Sequence, residues 1–113
     1  MPITIVEAQQ MADRWIREHG GYWDDFVILA RLTEELGEIA SDLQRDRSFR
    51  PRKVKTDLPA EVGDLFFTLC AFANKNNIDI SVAFQDVIRK YTERDSAAWK
   101  EAERSGGVGK REE

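Results

Sequence analysis

At 113 residues the chain has the size of one domain, and its formal charge of −4 excludes broad binding to duplex nucleic acid through an excess of Lys and Arg. With 42% hydrophobic and 34% charged residues, and three Trp, six Phe and two Tyr to fill a core, the composition is that of a folded soluble protein, not a disordered one. A domain this short cannot hide a deep cleft inside one protomer, so its chemistry is expected at the surface or in an oligomer.

No apolar run reaches the roughly 18 residues that a membrane span requires. Acidic and polar residues stand where a signal peptide needs an unbroken apolar segment, so a cytoplasmic location without a membrane partner is expected. The single cysteine, Cys70, lies in the run LeuPhePheThrLeuCysAlaPheAla and reads as a small buried hydrophobe.

The first helix begins near Ile3 to Val6, and Val6, Met11, Ala12, Trp15 and Ile16 fit one helical face until Gly20 and Gly21 stop it. Asp24 or Asp25 can cap a second helix, whose stripe of Ile28, Leu29, Leu32, Leu36, Ile39 and Leu43 runs to about Arg45. From Asp46 to Lys55 the period is lost, and Arg47, Arg50, Arg52, Lys53 and Lys55 around Pro51 make a basic connecting loop. Thr56 or Asp57 caps a third helix with Pro59 in its first turn, and Leu58, Val62, Leu65, Leu69 and Ala73 carry it to about Lys75. Asp79 caps a fourth, with Val82, Ala83, Val87, Ile88, Tyr91 and Trp99 pointing one way, to about Ala102.

No segment alternates with strand period. The expected fold is all-α: a four-helix antiparallel bundle over residues 1–104, completed by oligomerisation, with a mobile tail over 105–113. Phe66, Phe67, Phe72 and Phe84 are read as plain core.

Two acidic clusters carry the functional argument, ThrGluGluLeuGlyGlu at Thr33 to Glu38 and GluValGlyAspLeu at Glu61 to Leu65. At about 100° of rotation per helical residue, acids three apart project from one side. Glu35 with Glu38, and Glu61 with Asp64, each form a two-toothed comb bordering an apolar stripe, Glu35 and Glu61 at its edge, with Glu38 and Asp42, and Asp64 and Thr68, just beyond. Like charges at this spacing repel by a few tenths of a kcal/mol, more when partly buried, and a hard divalent cation offsets that. Either cluster alone reads as an ordinary solvated helix face. Paired, and each interrupted by a glycine (Gly37, Gly63) that costs a helix about 1 kcal/mol against Ala, they suggest a close approach of helix, metal or substrate.

GluGluLeuGlyGlu, then GluValGlyAspLeuPhePheThrLeu, then AlaAsnLysAsnAsnIleAspIle resembles the MazG-like all-alpha nucleoside triphosphate pyrophosphohydrolases, whose pattern is EExxE, a variable spacer and ExxD. The likeness extends over about Trp15 to Trp99. It implies magnesium, with manganese as a substitute, held by Glu35, Glu38, Glu61 and Asp64, and a homo-dimer or homo-tetramer. It implies cleavage of a nucleoside triphosphate between the α- and β-phosphates to give the monophosphate and pyrophosphate. His19, the sole histidine, reads as a surface or capping residue, so the base is expected among the acids, with Glu34 and Glu38 as catalytic candidates. The segment ArgLysTyrThrGluArgAsp resembles the family's basic stretch and offers Lys90 and Arg94 to the phosphates, although Val87 and Ile88 stand where some relatives carry an Asn. Trp15, Trp23 and Asn74 are candidates for a base pocket.

Two other readings compete: phosphoribosyl-ATP pyrophosphohydrolase, which uses a related carboxylate comb, and a non-catalytic helical module that dimerises through its apolar stripes. A nucleic-acid-binding reading rests on the basic loop alone.

Overall fold

The computed structural model describes residues 1–46 and 57–105, so the basic segment Arg47 to Lys55 and residues 106–113 of the expected tail lie outside the described residues. Those described form four helices and no strand: α1 (Ile5–Glu18), α2 (Asp25–Asp46), α3 (Leu58–Lys75) and α4 (Ile80–Ser105). The chain divides into two units, Met1–Ile80 and Ser81–Glu113. The first unit packs α1 and α2 against α3. None of the described helices is long and apolar enough to cross a membrane.

Local chemistry explains where the helices begin and end. Thr4 and Glu7 form a reciprocal capping box on α1, the Thr4 amide donating to Glu7 Oε1 at 2.8 Å and the Glu7 amide to Thr4 Oγ1 at 3.0 Å. Gly20 and Gly21 then take φ of 108° and 90°, a left-handed turn that L side chains rarely adopt. Asp24 Oδ2 accepts the Phe26 amide at 3.0 Å at the head of α2. Asp57 Oδ1 accepts the Ala60 amide at 3.2 Å at the head of α3. Lys75 Nζ donates to the Trp23 carbonyl at 2.8 Å, and Asn76 Nδ2 to Asp25 Oδ1 at 3.3 Å, tying the start of α2 to the end of α3.

Helices α2 and α3 run antiparallel, because Asp25 meets Asn76, Glu35 meets Thr68 and Asp42 meets Glu61. The face that α2 buries is not the one expected. Ile28, Glu35 and Asp42 are buried and Leu32 and Ile39 half-buried, whereas Leu29, Leu36 and Leu43 are exposed. The inward line thus repeats every three or four residues as Ile28, Leu32, Glu35, Ile39 and Asp42, the spacing of a coiled-coil seam. On α3 the matching line is Leu58, Glu61, Leu65, Thr68 and Phe72, while Val62 and Leu69 are exposed. Carboxylates occupy seam positions where the expectation put them at the edge.

The apolar core is small: Ile16, Ile28 and Ala71, with Tyr22 and Phe72 packed against them, and with Ala12, Cys70 and Ala73 also buried. Of the four phenylalanines read as core, only Phe72 packs there; Phe66, Phe67 and Phe84 are substantially exposed. On α4, Val82, Val87, Ile88 and Tyr91 are exposed too. Polar pairing does part of the holding. Buried Gln9 donates through Nε2 to Asn74 Oδ1 and the Ile78 carbonyl, both at 2.9 Å, and accepts the Ile80 amide at 2.9 Å on Oε1. Asn74 Nδ2 returns a bond to the Gln9 carbonyl at 2.9 Å.

Candidate functional site

Glu35 is a carboxylate on the buried seam, 5% exposed. Its Oε1 accepts the Thr68 hydroxyl at 2.7 Å and stands 3.6 Å from Arg31 Nε, so α3 supplies its neutral partner and its own helix the charged one. The Thr68 oxygen also lies 3.0 Å from the Asp64 carbonyl, one turn back on α3.

One layer along the seam a second group of acids gathers. Asp42 is buried and pressed against Glu61, whose Oε1 is buried with no conventional donor in reach among the described residues. The carboxyl hydrogen bond with Asp42, then burial, then repulsion from Asp42, Glu38 and Asp57 push Glu61 up to about 7. A buried oxygen facing other carboxyl groups, all of them hard donors, is the chemistry that suits a divalent cation of the magnesium type. Glu61 feels the charge of Glu38, and Glu35 lines a cavity with Asp64, so these are the carboxylates that would face such an ion. In this chain the four are not drawn into one closed cluster. Among the described residues no three His, Cys, Asp or Glu side chains stand as a ready-made metal-holding group. Glu35 is turned to Thr68 and Arg31, and Glu38 and Asp64 are exposed.

Beside Glu35 opens a cavity of about 460 Å³, within the roughly 300–1,000 Å³ usual for ligand pockets. Trp15, His19, Trp23 and Phe67 give it an aromatic wall, and Arg31, Glu35, Asp64 and Thr68 a polar one. Trp15 is held flat on His19, ring centroids 3.9 Å apart, and edge-on to Phe67 at 5.7 Å. His19 Nδ1 donates back to the Trp15 carbonyl at 2.7 Å, which caps α1 and fixes the stack. Tyr22, which also lines the cavity, donates to Asp13 Oδ1 at 2.5 Å. That bond, aided by Arg17, holds the Asp13 carboxyl below its usual range.

The structure thus brings Trp15, Glu35 and Asp64 to one cavity and sets Glu61 and Glu38 close together nearby. Asn74 is not at that cavity: its amide is engaged with Gln9, and it lines a separate, more open hollow with Arg14 and Asp79. Glu34 is exposed on α2. Lys90 and Arg94 are exposed on α4, in the other unit, where the Arg94 guanidinium lies 4.9 Å from the centre of the Tyr91 ring and 3.5 Å from Asp95 Oδ1. Among the described residues a Cβ at Gly37 or Gly63 would meet nothing within 4 Å, so neither glycine makes room for another helix of this chain. Sequence reasoning missed Arg31 and His19 as cavity residues and Asp42 as the partner of Glu61. The signal that would have found Asp42 is the repeat through Ile28, Leu32, Glu35 and Ile39, which reaches it next.

The MazG nucleotide pyrophosphohydrolase domain matches residues 26–99. Protein YpjD of Bacillus subtilis (strain 168) is 34% identical over 100 residues, covering 85% of this chain and 90% of the relative. The crystal structure of YPJD from Bacillus subtilis superposes with a TM-score of 0.72 at 33% identity, over 80% of this chain and 97% of that one. The crystal structure of the Bacillus-conserved MazG protein, a nucleotide pyrophosphohydrolase, gives 0.68 at 30% identity, over 80% and 90%. With the family model matching residues 26–99 and all-helical solved relatives at 30–33% identity, this chain belongs to the MazG nucleotide pyrophosphohydrolase family, and is a hydrolase.

Proposed function

We propose that the protein hydrolyses nucleoside triphosphates between the α- and β-phosphates, giving a nucleoside monophosphate and pyrophosphate, with magnesium held by Glu35, Glu38, Glu61 and Asp64. The observation that carries this is the meeting, at one cavity, of an aromatic wall with the buried Glu35 and with Asp64, near a Glu61 whose buried Oε1 has no hydrogen-bond partner among the described residues. When bound, a hard divalent cation lowers the pKa of a coordinated water and neutralises phosphate charge.

The chain's own residues do the rest. Trp15 and Trp23 offer flat faces on which a base stacks, and the rigid Trp15–His19 pair holds one of them in place before substrate arrives. Arg31, only loosely paired with Glu35 at 3.6 Å, supplies positive charge at the mouth of the polar wall. Glu38 is exposed, and Glu34 beside the buried Glu35 is too, so either can take a proton from water and pass it to solvent. Lys90 and Arg94 are proposed to receive the phosphates, as exposed cations on α4. The exposed Phe26, Leu36, Val62 and Phe84 support assembly as a homo-dimer or homo-tetramer.

The test is pyrophosphate release from a panel of ribo- and deoxyribonucleoside triphosphates and from phosphoribosyl-ATP, with magnesium and with chelator, for the native chain and Glu38→Gln. Magnesium-dependent release lost in the variant is the expected result. Release from phosphoribosyl-ATP alone, or none from a folded protein, overturns it.

A further inference from the structure

We propose that Thr68 is a positioning residue for Glu35, fixing that carboxylate across the α2–α3 seam through its hydroxyl. Thr68 is 8% exposed and Glu35 5%, so their contact at 2.7 Å is shielded from water and is not one of many exchangeable surface bonds. A hydroxyl has one proton and two acceptors within reach here, Glu35 Oε1 at 2.7 Å and the Asp64 carbonyl at 3.0 Å. The carboxyl oxygen lies nearer than the carbonyl, which is already the acceptor of its own helix, so it takes the proton.

Among the described residues, the contacts that Thr68 and Arg31 make with Glu35 fall on Oε1. One oxygen is thereby anchored, and the rotation of the carboxylate is restrained. Because the Thr68 oxygen also abuts the Asp64 carbonyl, the same side chain sets how far Glu35 on α2 stands from the turn of α3 that carries Asp64. An outer partner that orients a ligating carboxylate is commonly worth 10- to 100-fold in metal affinity.

The inference rests on the reading of Glu35 as a metal ligand, and the experiment separates the two. Binding of Mn2+ alone, without nucleotide, is followed by electron paramagnetic resonance of the free ion for the native chain, Thr68→Val, Thr68→Ser and Thr68→Cys. Melting curves report folding. Thr68→Val keeps the shape and removes the donor, and is expected to weaken Mn2+ binding about 10-fold or more, with a matching rise in the Mn2+ needed for half-maximal pyrophosphate release. Thr68→Ser, which keeps the hydroxyl, is expected to stay within about 3-fold of native, inside the usual scatter for such contacts. Thr68→Cys, a much weaker donor, gives the same reading where Thr68→Val does not fold. Native Mn2+ affinity in folded Thr68→Val or Thr68→Cys overturns the inference alone. Equal weakening in Thr68→Ser and Thr68→Val overturns it too, since the methyl group and not the hydroxyl is then the cause. Failure of the native chain to bind Mn2+ overturns the metal reading of the acids and this inference with it.

Discussion

Glu38 and Trp15 test the two halves of the site separately. Removing the charge of Glu38 takes away both a proposed ligand and a proposed base, so Glu38→Gln is expected to lower pyrophosphate release by about 100-fold or more, the range of general-base loss. The protein should remain folded, because Glu38 is exposed. Trp15→Ala removes the face stacked on His19 at 3.9 Å. Base stacking on an aromatic ring is worth about 1–3 kcal/mol, so KM for the triphosphate is expected to rise about 10-fold or more while kcat changes less; steady-state kinetics on both variants distinguish the roles. A Trp15→Ala enzyme with unchanged KM would remove the aromatic wall from the reading. That Glu38 shares a helix side with Glu35 was legible from sequence because the relation is local: acids three apart project together whatever packs beside them. The role of Asn74 was not, because a free amide looks the same in sequence as one engaged by Gln9 from α1.

The helices owe their ends to caps and their pairing to a seam with few apolar layers. The Thr4 box satisfies two otherwise orphaned amides at the head of α1, so Thr4→Ala is expected to lower stability by about 1 kcal/mol without changing activity, read by urea denaturation and pyrophosphate release. Ile28→Ala empties one of the few buried aliphatic sites, 3% exposed. Its expected cost is about 2–5 kcal/mol, a large share of the stability of a domain this size. The bounds of α3, Leu58 to Lys75, follow from Asp57, Pro59 and the Asn pair that ends it, all visible in the sequence. Which face of α2 turns inward does not. Leu29, Leu36 and Leu43 are as apolar as Ile28, Leu32 and Ile39, so hydrophobicity alone gives a broad stripe, and the contact with α3 chose the line that passes through Glu35 and Asp42.

Across the whole chain, the burial of acids couples stability to pH and to metal. Glu61 is raised from its ordinary 4.5 to about 7 in the folded protein, first by the hydrogen bond with Asp42. A carboxyl raised on folding contributes stability that is fully present below its unfolded value and is lost as pH rises through its folded value. The metal-free native protein is therefore expected to lose stability relative to Glu61→Gln between about pH 4.5 and pH 7, measured as urea midpoints in chelator. Parallel pH profiles for the two proteins would dismiss the Asp42–Glu61 pair as the cause. Above pH 7 magnesium is expected to raise the native melting temperature and to leave Glu61→Gln nearly unmoved, because an ion that binds only the folded state stabilises it in proportion to its affinity. By itself the sequence determined an all-helical chain, the ends of α1 and α3, and two acid combs resembling those of the MazG family, since caps, helical period and side-chain spacing act within a few residues. Only the tertiary structure decided that Glu35 and Asp42 lie on the buried seam, that Thr68 and Asp42 are their counterparts to Glu35 and Glu61, and that Trp15 stands over the cavity with His19. Those facts depend on which faces of α1 and α2 meet α3, and that choice is set by the apolar area removed from water by the three helices together and not by any one helix.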